Sequence, residues 1–322
     1  MSKSTGMNAV KTDFILSMDC DMRLSPSWLE ESLADASQPK VGVVGVSVLC
    51  EAGEDLVSQY MNLFGHQMLA DGEADFLSGN VWLMRSKVWE EVGGFASYSK
   101  RTHEDHYYCQ AVKAKGFKLL SRAARPGRQV RNLSRLAVVK RFSAWAPKTT
   151  TTLSDNPGQA GVQALGYVAF LACFRRIEYL LEERKNGAFI YLELLFFAHS
   201  VFNIFGDSAR LNGAEDLEHA PAWLKQEAQC FWQEFVNLFS SSPFALKVLL
   251  NDLKCLGHNF LMETSAEQKS GPENCFWADL FLTRAPLKQP GGMLEQMEKA
   301  GLPQLLREEA QVSRNYSFYT DL

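Results

Sequence analysis

No stretch of the 322-residue chain reaches the roughly eighteen uncharged apolar residues expected of a membrane-spanning helix. The nearest approach, Ala188 to Phe205, is interrupted by Glu193, His199 and Asn203. Polar residues at 193, 200, 203 and 207 follow steps of seven, three and four, which place them on one helical stripe. A buried or membrane-grazing amphipathic helix is therefore expected there. The N-terminus, Met-Ser-Lys-Ser-Thr-Gly-Met-Asn, carries no apolar leader segment. The seven cysteines form no C-x-x-C pair and have no closely spaced histidines, which excludes the usual zinc sites and predicts buried free thiols in a reducing cytosol. Acidic residues are missing from one long stretch: between His106 and Ser154 there are eleven basic residues and no Asp or Glu. The net charge of −4 thus divides into +11 there and −15 elsewhere, a total that argues against a protein that coats nucleic acid.

What is present suffices for a substantial core, since 46% of residues are hydrophobic and 22% charged. Phe14–Met18 is an apolar run ending in Asp19-Cys20-Asp21, the pattern of a buried strand that delivers carboxylates into a crevice. Ser25-Pro26 opens a helix to about Ala36, with Ser27 and Glu30 at capping-box spacing. Val41–Val48 reads as a strand buried on both faces, Leu56–Leu69 as a helix, and Val81–Met84 as a further strand. Ser86–Val92 is a short helix stopped by Gly93-Gly94, and Glu104–Lys115 a helix that stops at Gly116 before the strand Phe117–Leu120. Alternating strands and helices predict an α/β layer. Beyond a polar linker around Thr149–Gly158, apolar residues recur at helical spacing through Leu224, Ala228, Phe231, Trp232, Phe235 and Phe239. A mainly α-helical domain over residues 149–322 is expected to follow an α/β domain over residues 1–148.

A D-x-D pair supplies hard oxygen ligands of the kind that bind a divalent cation bridging two phosphates. Alone it is a common pair. Here it is followed in order by Ser78-Gly79-Asn80 leading to Arg85, Val92-Gly93-Gly94-Phe95, His103-Glu104-Asp105 and Lys115-Gly116-Phe117. This series resembles the family 2 glycosyltransferases, inverting enzymes of the GT-A fold. The resemblance covers about residues 8 to 130 and implies a partial GT-A, Rossmann-like nucleotide-diphospho-sugar transferase layer. It also implies that Asp21 and Asp19 hold Mn2+ or Mg2+, with Asp19 alternatively on the donor ribose, and that Asp105 is the general base that deprotonates the acceptor hydroxyl. Glu104 either raises the basicity of its neighbour or caps the helix. Gly79, Asn80 and Arg85 are the expected donor-binding residues, with a surface ion pair as the competing role for Arg85. Trp82 either stacks on a sugar or packs in the core.

The chain departs from the family pattern at several points. D-x-D arrives at residue 19, ahead of the strand, helix and strand that normally grip the base, so the catalytic domain is expected to lack its first βαβ segment. Asn8 resembles a family asparagine at shorter spacing, and Gln110 stands where an arginine is usual. A histidine is missing from Gln129–Ser134, and Arg131 or Asn132 is the expected substitute there as a phosphate ligand. The basic block reads as a donor-diphosphate contact, as attraction to an anionic membrane, or as a solvated surface offset by acidic residues of the helical domain. The implied function is metal-dependent sugar transfer in bacterial glycan or cell-envelope polysaccharide biosynthesis, in the cytoplasm or peripheral to the inner membrane. Its partners are a nucleotide-diphospho-sugar and a glycan, lipid-linked or protein acceptor, with a homo-oligomer also open. The competing function is a non-catalytic scaffold that binds a partner glycosyltransferase or glycan.

Overall fold

The structure is a computed structural model and describes residues 2–51, 55–64, 70–95, 104–130, 133–145, 158–183, 185–239, 242–258, 275–282, 297 and 301–308. The chain divides into two compact units, residues 1–132 and 133–322. The expected boundary at residue 148 and most of the expected linker fall outside the described residues.

The first unit is the α/β layer. Its strands are β1 (Phe14–Met18), β2 (Met22–Arg23), β3 (Val41–Gly45), β4 (Val48–Cys50), β5 (Gly72–Ala74), β6 (Val81–Arg85), β7 (Lys118–Ser121) and β8 (Gly127–Gln129). Its helices are α1 (Ser2–Asn8), α2 (Pro26–Ala36), α3 (Leu56–Phe64), α4 (Ser86–Val92) and α5 (Glu104–Ala114). Five strands form one sheet in the order β1-β6-β3-β7-β5, in which only β3 and β7 pair in parallel. A second sheet has the order β2-β8-β4.

Side chains alternate across the large sheet, as period-two geometry requires. Val43, Trp82 and Met84 pack with Tyr108, Cys109 and Val112 of α5, while Val41, Val44, Val81 and Leu83 pack with Trp28 and Ala36 of α2. The strand β3 is buried at every position, as its β-branched run predicts. The expected single strand Val41–Val48 is broken after Gly45, and Val48–Cys50 leaves for the second sheet. β1 is an edge strand rather than a fully buried one, and leaves Leu16 and Met18 exposed. The cap of α2 is Ser25, whose hydroxyl accepts the Trp28 N–H, instead of Ser27. Gly93 ends α4 at φ +83°, a left-handed conformation that favours glycine. The G-G-F element thus works as a helix stop, followed by Phe95 packing edge-on against Trp89 and Tyr108.

Four of the eleven residues of the basic block are offset within this unit, and Arg135 is offset by Asp252 of the helical unit at 2.5 Å. Arg122 and Arg125 pair with Asp35 and Glu31 of α2 at 2.5 and 2.7 Å. Lys113 and Lys118 pair with Asp75 and Glu73, each at 2.6 Å.

The second unit is helical: α6 (Arg135–Trp145), α7 (Gln159–Glu182), α8 (Gly187–Leu211), α9 (Ala222–Leu238), α10 (Pro243–Cys255) and α11 (Phe276–Leu282). α8 is long and apolar enough to cross a membrane, yet 83% of its most apolar window is buried inside the protein. An all-round apolar helix belongs in a core, and Phe197 and Phe205 meet Phe231, Phe281 and Trp277 there. Within its polar stripe the fully buried Glu193 is paired to Arg176 at 2.8 Å. Cys230 and Cys275 are joined as a disulfide, Cα–Cα 6.4 Å, which corrects the expectation of seven free thiols. Cys20 and Cys255 are exposed rather than buried. Burial pushes the Cys109 thiol up to about 12.

Two polar clusters hold the helices in register. Asp252, fully buried on α10, accepts two bonds from Arg135 at 2.5 and 2.7 Å and a third from the Tyr191 hydroxyl at 2.7 Å. The ring nitrogens of His199 and His258 lie 2.7 Å apart. Burial, then the neighbouring His258 and Lys140, lowers His199 to about 3, and burial lowers His258 to about 4.

Two outcomes follow. Asp252→Ala leaves Arg135 without its buried counter-charge and lowers the unfolding free energy by about 3–5 kcal/mol in urea titrations. A loss below about 1 kcal/mol would mean that the triad carries little of the packing. Because both histidines are neutral when folded, the unfolded chain binds more protons between about pH 4 and 6.5, and stability falls as pH drops through that window. Melting curves at pH 7.5 and 5 should show this loss, and it should shrink in His199→Gln.

Candidate active site

Antiparallel pairing sets Met18 opposite Val81, so the residues just beyond those two positions meet at one end of the sheet. The Asp19 N–H donates to the Asn80 carbonyl at 2.9 Å, and the Asn80 amide returns a bond to Asp19 Oδ2 at 3.3 Å. The strand ends therefore clasp, with the first carboxylate of D-x-D held against the S-G-N turn.

Gly79 joins this corner to α5. Its N–H donates to Asp105 Oδ2 at 3.1 Å, and a Cβ added at Gly79 would lie 3.3 Å from the Asp105 Cβ. A side chain here would crowd Asp105, which would have to give by a few tenths of an ångström. The other Asp105 oxygen accepts the His106 N–H at 2.8 Å, a donor of the first turn of α5 that has no partner within the helix. Glu104 and Asp105 open that helix, where its dipole favours negative charge.

One side chain that the sequence did not single out completes the corner. Lys3 on α1 places its ammonium 2.6 Å from Asp19 Oδ1 and 2.7 Å from the Gly79 carbonyl. Lys3, Ser17, Gly79, Trp82, Phe95, Glu104 and Asp105 line a cleft of about 200 Å³, mouth included. Its enclosed volume is only about 10 Å³, room for about one water and far below the ~300–1,000 Å³ of typical small-molecule sites.

Asp21 stands apart from this corner. The turn Asp19–Met22 carries it toward the second sheet, where Gln129 Nε2 donates to Asp21 Oδ2 at 2.9 Å and the Val130 N–H donates to its carbonyl at 2.7 Å. Among the described residues no group of three or more His, Cys, Asp or Glu side chains forms a metal cage. A Mg2+-type site needs only one or two carboxylates, the rest coming from substrate phosphates and water. The ammonium on Asp19 is a stand-in cation, so this corner accepts positive charge, with Asp19 the one D-x-D carboxylate that lies in it.

Other expected residues lie elsewhere. Arg85 is at the far end of β6, paired with Phe14, and its guanidinium donates to the carbonyls of Pro39 and Val41 at 2.9 and 3.1 Å. The structure does not bring it to the donor corner, because four strand residues separate it from Asn80. Trp82 is 2% exposed and stacks on Tyr108 at 5.3 Å between centroids, a core role. Asn8 accepts the Trp89 indole N–H at 2.7 Å, and Gln110 faces His106 on the surface. Arg131, Asn132 and His103 lie outside the described residues. Lys3 and Gln129 escaped the sequence reading because neither sits in a patterned segment.

Comparison with known proteins adds the family. No curated protein matches the chain. The family model described as glycosyltransferase like family 2 matches residues 2–147, which takes in the whole α/β unit and α6 of the second. Since the match starts at residue 2, it lends no support to a missing first segment. Order of motifs, the clasped strand ends and the sequence match agree: residues 2–147 belong to the glycosyltransferase-like family 2.

Proposed function

We propose that the protein transfers a sugar from a nucleotide-diphospho-sugar to an acceptor hydroxyl with inversion, Asp105 acting as general base and Asp19 and Asp21 holding Mn2+ or Mg2+. The observation that carries this reading is the placement of Asp105. Its carboxylate lines the cleft, is oriented by the N–H groups of Gly79 and His106, and is linked through Gly79 and Lys3 to Asp19.

In inverting transfer the hydroxyl attacks the sugar carbon as the diphosphate leaves from the opposite face, so one carboxylate base is enough. Each Asp105 oxygen accepts one backbone hydrogen and retains a lone pair for the acceptor proton. Fixing both oxygens removes rotational freedom that the base would otherwise lose in the transition state. Glu104 shares the cleft wall with the base. A bound divalent ion would supply charge neutralisation of the leaving diphosphate. Gly79 and Asn80 form the backbone floor beside the donor, and Arg131 is the proposed phosphate ligand.

The acceptor is a glycan, lipid-linked or protein hydroxyl, and the setting is glycan or cell-envelope polysaccharide assembly in the cytoplasm or against the inner membrane. The family membership supports the class of reaction, and these finer assignments extend it. The cleft, smaller than a nucleotide-sugar requires, favours the second reading of a non-catalytic partner of another glycosyltransferase or glycan.

Transfer and hydrolysis assays over a panel of sugar nucleotides, with Mn2+ or Mg2+, decide between them. Asp105→Asn should reduce turnover by about 100-fold or more while retaining donor binding. Asp21→Ala should raise the metal concentration needed for half-maximal activity. Full activity in both variants would remove these assignments, and absence of both turnover and donor binding in the unaltered protein selects the scaffold reading. Arg85→Ala should leave turnover unchanged and lower stability by about 1–2 kcal/mol, through the two carbonyls it releases.

A further inference from the structure

We infer that Lys3 occupies the cation position of Asp19, so that a divalent ion reaches that carboxylate only when the ammonium leaves. This deepens the reading above and rests on Asp19 as a metal-binding residue.

Two of the three Lys3 donors are committed, to Asp19 Oδ1 at 2.6 Å and to the Gly79 carbonyl at 2.7 Å. The remaining Asp19 oxygen takes the Asn80 amide at 3.3 Å. A Mg2+-type ion sits at about 2.0–2.1 Å from its oxygens. Placed on Asp19 Oδ1 it would stand within a few ångströms of the ammonium, so the two cations exclude one another there.

The contact is delivered by folded structure. Met7 of α1 is 5% exposed within the core under Trp82, Trp89 and Tyr108, and Asn8 accepts the Trp89 indole N–H. Those two residues fix the C-terminal end of α1, and the helix then carries Lys3 back to the cleft. Lys3 is also the one cationic side chain among the described residues lining the cleft, whose lining includes Glu104 and Asp105 as well. Its side chain is 36% exposed and that of Asp19 31%, so solvent screens the pair and the ammonium is displaceable.

The test uses the full chain and Mn2+ alone, with no donor or acceptor, and reads free Mn2+ by electron paramagnetic resonance. Lys3→Gln should bind Mn2+ about two- to fivefold more tightly than the unaltered protein, the range set by a half-exposed ion pair. Asp19→Asn should lose that site. Unchanged or weaker binding in Lys3→Gln, with loss in Asp19→Asn, overturns the exclusion while leaving the metal assignment intact. Equal Mn2+ binding in Asp19→Asn and the unaltered protein overturns both, because the ion then sits elsewhere.

Discussion

The antiparallel pairing of β1 with β6 fixes where every group of the cleft stands. It sets the chain leaving β1 beside the chain entering β6, so Asp19 and Gly79-Asn80 meet although sixty residues separate them in sequence. From that corner each neighbour follows. Gly79 reaches the first turn of α5 through one N–H, and α5 lies where it does because Tyr108, Cys109 and Val112 pack on the face shown by Trp82 and Met84. The carboxylate pair of D-x-D, by contrast, is divided by a tight turn, and its second member belongs to the smaller sheet.

Much of the first unit was legible because its strands and helices carry strong local signals. The ends of α2, α4 and α5 lie close to the expected positions, set by Ser25-Pro26, Gly93 and Gly116. The apolar runs of β1, β3 and β6 identified strands, but a run of apolar residues does not say whether a strand is central or at the edge. Edge position is a property of the pairing, and it exposes Leu16 and Met18. The short strands β2, β5 and β8, of two or three residues, are too brief to show a period. Arg85 was misplaced because spacing from a motif does not reveal which strand end faces the cleft. Lys3 was invisible for a related reason: its importance lies in its contacts with Asp19 and with Gly79, the second 76 residues away in sequence.

The helical unit shows polar groups used sparingly inside an aromatic core. Asp252 with Arg135 and Tyr191, and Glu227 with Gln163 at 2.8 Å and Trp277 at 3.0 Å, are satisfied by donors from several helices. Such clusters add less net free energy than an apolar replacement of the same shape, but an alternative packing that left them unpartnered would cost several kcal/mol. Their effect is to penalise wrong registers among helices whose phenylalanines would otherwise pack in more than one way.

α1 spans Ser2–Asn8, fewer than two turns, and a helix that short has no stability of its own in water. Its order is lent by Met7 and the Asn8–Trp89 bond at the C-terminal end. The turn that carries Lys3 thus stands apart from the core contact that Met7 makes. Lys3 sits on the first turn of that helix. The reach of its ammonium to Asp19 is therefore tied to one helical turn, so whatever loosens that turn would release the carboxylate without touching the sheet.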